Sequence, residues 1–137
     1  MDLRYPAVTP QGHDVERSEE RANDHRGDLE RVHLRSPASG EVYVEVARFR
    51  GLTPEQEYSR HRPSLERRSG AGSVTALSET TVQGRPARAY AFRWDDGERA
   101  VLLVQVGDDT YRVIHDPRSP LNAEILATFA LDPLESG

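Results

Sequence analysis

The chain has 137 residues, 23 of them acidic and 18 basic, a formal net charge of −5 and no cysteine. That length suits one domain with one core, and the missing cysteine excludes disulfides, thiolate nucleophiles and Cys-ligated metals. An acidic chain gains nothing from counterion release at phosphates, so nucleic acid is not expected as a partner.

All the basic residues are arginine, and between Arg48 and Arg68 six of them stand against three acids. The opening residues MDLRYPAVTPQG lack the basic start and apolar run of a signal peptide, and no stretch approaches the roughly 20 apolar residues that span a bilayer. The expectation is a cytoplasmic protein without a membrane segment, forming one domain over 1–137 with extended or mobile ends near 1–12 and 132–137.

Apolar residues are sparse from His13 to Arg35, and Asn23-Asp24-His25-Arg26-Gly27 has turn chemistry. This reads as a polar hairpin with strands near 14–21 and 28–35. After the loop Ser36–Gly40, the β-branched and aromatic run Val42–Phe49 predicts a strand with Val42, Val44 and Val46 on one face and Tyr43, Ala47 and Phe49 with Glu45 on the other. A helix follows: Thr53 caps it, Pro54 takes the first helical position and Gln56 completes a capping box. Tyr58, His61 and Leu65 share one side at helical spacing. Pro63 is expected to kink or stop the helix, because it lacks an N–H and clashes with the preceding turn. The stretch Ser69–Ser73 then lets the chain turn.

Strands are predicted over 74–82, 87–94, 99–106 and 110–115. Connections as short as theirs force antiparallel neighbours, hence a four-stranded meander. The nearly unbroken apolar run Ala100–Val106 predicts a central strand covered on both faces. Ser119-Pro120 opens a final helix by the same cap-then-proline rule, with Leu121, Ile125, Leu126 and Phe129 as its apolar stripe and Leu131 beyond. The fold class is therefore α+β, an antiparallel sheet of about six strands with helices packed on its faces.

That order of elements resembles the PsbP-like superfamily, which includes the extrinsic PsbP protein of photosystem II and the Ran-GTPase release factor Mog. The likeness rests on the helix carrying Tyr58 and Leu65, the V-x-G-x-P-A turn at Val82–Ala87 and Thr128-Phe129 at the close of the last helix, within residues 28–131. It implies an α-β-α sandwich, and it implies no reaction, since relatives mostly bind proteins and fold alone does not carry function. This chain departs from the group in its charged, apolar-poor N-terminal region.

The residues offer little chemistry. His115-Asp116 matches the His-Asp dipeptide of metal phosphohydrolases, but it ends a strand and leads into the turn Asp116-Pro117; His13-Asp14 is no better placed. His13, His25, His33, His61 and His115 show no metal-binding spacing, although His33 could meet His115 or an acid across strands. Gly70-Ala71-Gly72 follows a helix and precedes a strand, the reverse of a phosphate loop. Asp95-Asp96 and Asp108-Asp109 fall at hairpin tips in water, and they read as turn residues rather than general acid/base carboxylates.

No catalytic, cofactor-binding or metal-binding residue is assigned, and the chain reads as more in keeping with a non-enzyme. Arg60, His61, Arg62, Arg67 and Arg68 on the helix, with the single tryptophan Trp94, form the candidate surface for a protein partner or an anion. The leading expectation is a non-enzymatic protein-interaction or scaffold module of PsbP-like fold. The alternative is a small-molecule or anion-binding protein, or a weak hydrolase, with Tyr58, Tyr90, His33 or His115 in a pocket between sheet and helix. A homodimer through a sheet face or edge is a third reading.

Overall fold

A computed structural model describes residues 3–4, 14, 16–24, 27–39, 42–82, 84–94, 97–119 and 130–131. The strands are β1 (Leu3–Arg4), β2 (Glu16–Asp24), β3 (Gly27–Arg35), β4 (Val42–Phe49), β5 (Ser78–Val82), β6 (Arg85–Trp94), β7 (Gly97–Val106), β8 (Asp109–His115) and β9 (Ala130–Leu131), with one helix, α1 (Pro54–Ser69), between β4 and β5. β1 and β9 pair with each other, and the other seven strands form one antiparallel sheet in the order β2-β3-β4-β8-β7-β6-β5. The chain builds the sheet in two passes. A three-stranded meander ends at β4, α1 carries the chain across one face to the far edge, and a four-stranded meander returns to pair β8 with β4. The fold class is α+β, as the alternation of hydrophobic residues implies, with seven strands in the main sheet. The expected final helix over Leu121–Phe129 and the two chain ends lie outside the described residues.

Strand alternation sorts the core onto two faces. On one, Leu34 pairs with Val44, Val46 with Val113 and Val104 with Tyr111, and all six are buried. On the other, Tyr90 pairs with Val101 and Arg88 with Leu103, and α1 packs there through Leu65 against Tyr90, Phe92, Val101 and Leu103. Burial on both faces explains why β7 is a nearly continuous apolar run. The side chains gain stability by roughly 25 cal/mol for each Å² of apolar surface withdrawn from water.

The helix starts as its residues dictate. The Gln56 N–H donates to Thr53 Oγ1 at 3.2 Å, and the Thr53 N–H donates to Gln56 Oε1 at 2.9 Å, a reciprocal capping box. Of the two outcomes expected at Pro63, a kink or a stop, the stop does not occur: the helix runs on to Ser69 and closes with the Gly70 N–H donating to the Glu66 carbonyl at 2.8 Å. Leu65 is the reason, since it lies beyond the proline and its burial against the sheet outweighs one lost backbone bond. The stretch 74–77 is not strand either. Val74 makes one isolated bridge to Phe92, and Thr75 then holds Ala91 through both its own N–H and its Oγ1, so side-chain bonding replaces a ladder before β5 begins.

Gly97 opens β7 at φ +132°, and a Cβ there would stand 2.6 Å from the Arg118 Cζ. Gly107 has φ +60° and open space around it. Alanine tolerates the left-handed region of Gly107 at modest strain but not the conformation of Gly97. Urea denaturation should therefore show Gly97→Ala losing about 2–3 kcal/mol and Gly107→Ala about 1 kcal/mol. Equal losses would mean that Arg118 and the strand end simply shift.

Candidate functional site

The inner side of α1 carries an unusual residue for a core-facing stripe. Glu57, His61 and Leu65 recur every four residues and so point the same way, and Glu57 is fully buried. A carboxylate in that position costs several kcal/mol unless cations meet it. Two do. Arg112, from the middle of β8, donates from Nη1 to Glu57 Oε2 at 2.8 Å, and Arg60 donates from Nη2 and Nε to Oε1 at 2.8 and 2.9 Å. The Phe49 ring lies under both guanidinium groups, 4.7 Å from that of Arg60 and 4.9 Å from that of Arg112. Such contacts favour a flat, delocalised cation over an ammonium. Arg112 Nε is a buried donor with no hydrogen-bond partner among the described residues.

One turn along the helix, His61 Nδ1 lies 2.6 Å from the Tyr90 hydroxyl. Burial, followed by the charges of Arg112, Arg60 and Arg31, lowers the imidazole pKa to about 2. Burial likewise raises the Tyr90 phenol well above its ordinary value. At neutral pH both groups are uncharged, and the hydroxyl can donate to an unprotonated Nδ1. A base this weak accepts no proton near neutrality, and a phenol this reluctant yields none, so the pair is poorly matched to general acid–base work. Tyr58 and Tyr90 pack edge to face with centroids 4.9 Å apart, and Tyr58 donates its hydroxyl to the Thr75 carbonyl at 2.8 Å. The two tyrosines fill the space between helix and sheet.

The remaining candidates separate. His33 lies on the helix side of β3 with its Nε2 3.6 Å from Glu45, which Arg31 also approaches at 2.8 Å. His115 lies on the opposite side of the sheet, so these two histidines do not meet. Burial lowers the His115 pKa, and its Nδ1 has no partner among the described residues. Asp116 accepts hydrogen bonds from the Arg118 side chain and backbone, which hold its pKa low as a turn residue.

Asp109 corrects the expectation of a carboxylate left in water. Arg48 Nε and Nη2 donate to its Oδ2 at 3.1 and 2.8 Å, and the Gly51 N–H donates to Oδ1 at 3.2 Å, so it ties β8 to the end of β4. Asp95 and Asp96 lie outside the described residues. Gly70, Ala71 and Gly72 form the helix exit rather than a phosphate cradle. Among the described residues no cluster of His, Asp and Glu could hold a metal ion, and no helix is long and apolar enough to cross a membrane.

The predicted cationic surface thus divides. Arg60 and His61 turn inward. Arg62 points outward and donates to Glu66 at 2.7 Å. Arg67 and Arg68 are exposed in the last turn of α1, and neither has a carboxylate partner among the described residues. The Arg68 guanidinium lies 4.0 Å over the ring of half-buried Trp94, whose inner edge packs against Phe92 at 5.5 Å. Of the residues grouped from the sequence, the structure brings Arg68 and Trp94 together, while the buried pair Glu57 and Arg112 was missed. The available signals were an acid at a core position of the helix and an arginine between Thr110 and Ile114, where alternation turns it inward. No protein-family model, no curated protein and no solved structure matches the chain.

Two outcomes follow from the seam. Glu57→Ala strands a buried guanidinium and should lower unfolding free energy by roughly 3–5 kcal/mol, whereas the double change Glu57→Leu with Arg112→Met should recover at least half of that in chemical denaturation. His61 adds a pH dependence. Its folded pKa is depressed, so the unfolded chain binds a proton near pH 6.5 that the folded chain refuses until about pH 2. Its contribution is complete above the higher value and falls with acidification, by about 2 kcal/mol between pH 7 and pH 5. His61→Gln should flatten that slope in urea titrations at the two pH values, and an unchanged slope would contradict the buried neutral imidazole.

Proposed function

We propose that the chain is a non-enzymatic protein-interaction module of PsbP-like fold, which docks an acidic segment of a partner protein at the C-terminal end of α1. The observation that carries this reading is the Arg68–Trp94 stack, flanked by Arg67. Tryptophan and arginine dominate the energetics of protein interfaces because they bury large surface from a pre-ordered position. Arg68 over Trp94 is ordered in this way, and Arg67 and Arg68 have no carboxylate partner among the described residues.

The family assignment is supported by the order of hairpin, strand, crossover helix and four-stranded meander. A PsbP-like sandwich also requires a second helical layer, over the face bearing Val44, Val46, Tyr111 and Val113. The complete burial of those residues is in keeping with such a layer. The Glu57 carboxylate of the seam is met by two guanidinium groups and His61 bonds Tyr90, which favours a scaffold over a catalyst.

The test is affinity capture with the intact protein as bait beside two variants, Trp94→Ala and Arg67→Glu with Arg68→Glu. All three should share a thermal midpoint within a few degrees, because the altered side chains lie at the rim. A captured protein that is acidic in sequence, is retained by the wild type, and is lost at least tenfold on both variants and at raised salt meets the expectation. Equal retention by all three baits would sink the Trp94 surface.

A further inference from the structure

We propose that the free edge of β5 is a second docking site, which takes an extended, arginine-bearing peptide segment by strand addition. Among the described residues β5 is the last strand of the sheet and pairs with β6 alone. Its register shows which backbone groups face outward. Thr81 stands opposite Pro86, which has no N–H, so that pair is not a hydrogen-bonded one. Alternation then turns the N–H and C=O of Thr81 and of Glu79 away from β6, toward the open edge.

The two ends of the sheet differ in a way that matters for such an edge. β2, at the other end, reads ERSEERAND, with six charged residues in nine, a composition that discourages pairing. β5 reads SETTV, with one charge and no proline. Beside it, between β5 and the start of α1, lies an open hollow of about 650 Å³ lined by Pro54, Glu55, Glu79, Thr81, Pro86 and Arg88 among others. A bound strand would therefore have both an edge to pair with and a floor for alternate side chains.

Charge selects the occupant. Arg88 reaches Glu55 at 3.1 Å and Glu79 at 3.2 Å, one cation between two carboxylates, and Glu79 is 84% exposed. Exposed pairs of this kind hold only weakly, so an incoming guanidinium can take a carboxylate from Arg88 and neutralise the excess. A second copy of the chain would instead bring two like-charged hollows together, which disfavours self-pairing. Six residues separate Arg88 from Trp94, about 20 Å along β6, so this site and the Trp94 surface stand or fall separately.

The probe is a fluorescein-labelled octapeptide of alternating arginine and threonine, titrated with the intact protein at 50–200 mM salt beside a glutamate–threonine peptide. The arginine peptide should give saturable anisotropy at least tenfold tighter than the glutamate peptide. Glu79→Arg should weaken it at least tenfold, Thr81→Pro should abolish it and Trp94→Ala should leave it unchanged. Should Thr81→Pro fail to fold, amide shift mapping on the wild type decides, with perturbations expected at residues 78–82. Absent binding, equal binding of both peptides, insensitivity to Glu79→Arg, shifts centred on Trp94, or a concentration-dependent dimer that excludes the peptide would each overturn the proposal.

Discussion

The structure turns on one buried ionic contact, Glu57 with Arg112 and Arg60. Measured by stability alone it is a poor investment, since apolar residues of similar volume usually do as well. Its effect is on placement. A helix whose inner stripe were leucine throughout could slide along the sheet with little change in buried area. A carboxylate that must meet a particular guanidinium in the middle of β8 has one acceptable position. Glu57 thereby pins the first half of α1 while Leu65 and Tyr58 supply the non-directional burial farther along.

Position of the helix in turn determines what the surface offers. α1 is the crossover between two meanders, and without it β4 and β5 would have no route to opposite sides of the sheet. Pinning it at Arg112 leaves its first turn next to β5 and its last turn next to Trp94. The seam itself becomes chemically quiet: the carboxylate is enclosed by cations, and Tyr90 and His61 bond each other. Ionisable groups gathered in a buried place are often a catalytic signature. Here the outcome is a very weak base, His61, and a very weak acid, Tyr90.

Much of this was legible in the residues. The capping box at Thr53 and Gln56, the Pro54 start and the Val42–Phe49 strand follow from local rules and appear where those rules put them. The nearly unbroken apolar run Ala100–Val106 correctly implied a strand with two buried faces. What local rules could not supply was pairing at long range. Glu57 and Arg112 are 55 positions apart, and nothing nearby marks either as half of a pair. Pro63 does not end the helix, because a local penalty is outweighed by tertiary burial of Leu65. At residues 74–77 a β-prone composition gave way to side-chain bonding by Thr75, a choice that depends on Ala91 being alongside. The candidate surface residues do not share one geometry, since helical phase turns Arg60, His61 and Arg68 toward the sheet, where Arg68 reaches Trp94 at the exposed end, and turns Arg62 outward.

The same helical physics gives the molecule two unlike ends. Acids are favoured in a first turn and cations in a last turn because of the helix macrodipole, and α1 obeys with Glu55 and Glu57 at its start and Arg67 and Arg68 at its finish. On an isolated helix those charges would only prevent fraying. Laid across a sheet, they fall beside different strands. Glu55 joins Glu79 beside the short β5 edge, and Arg68 settles on Trp94 at the far end of β6. A stabilising pattern within one helix has thus become a polarity across the described residues, with two carboxylates beside a sheet edge that is unpaired among them at one end and a cationic aromatic shelf at the other. If each end docks the partner proposed for it, the two partners carry opposite charge and do not compete for one surface.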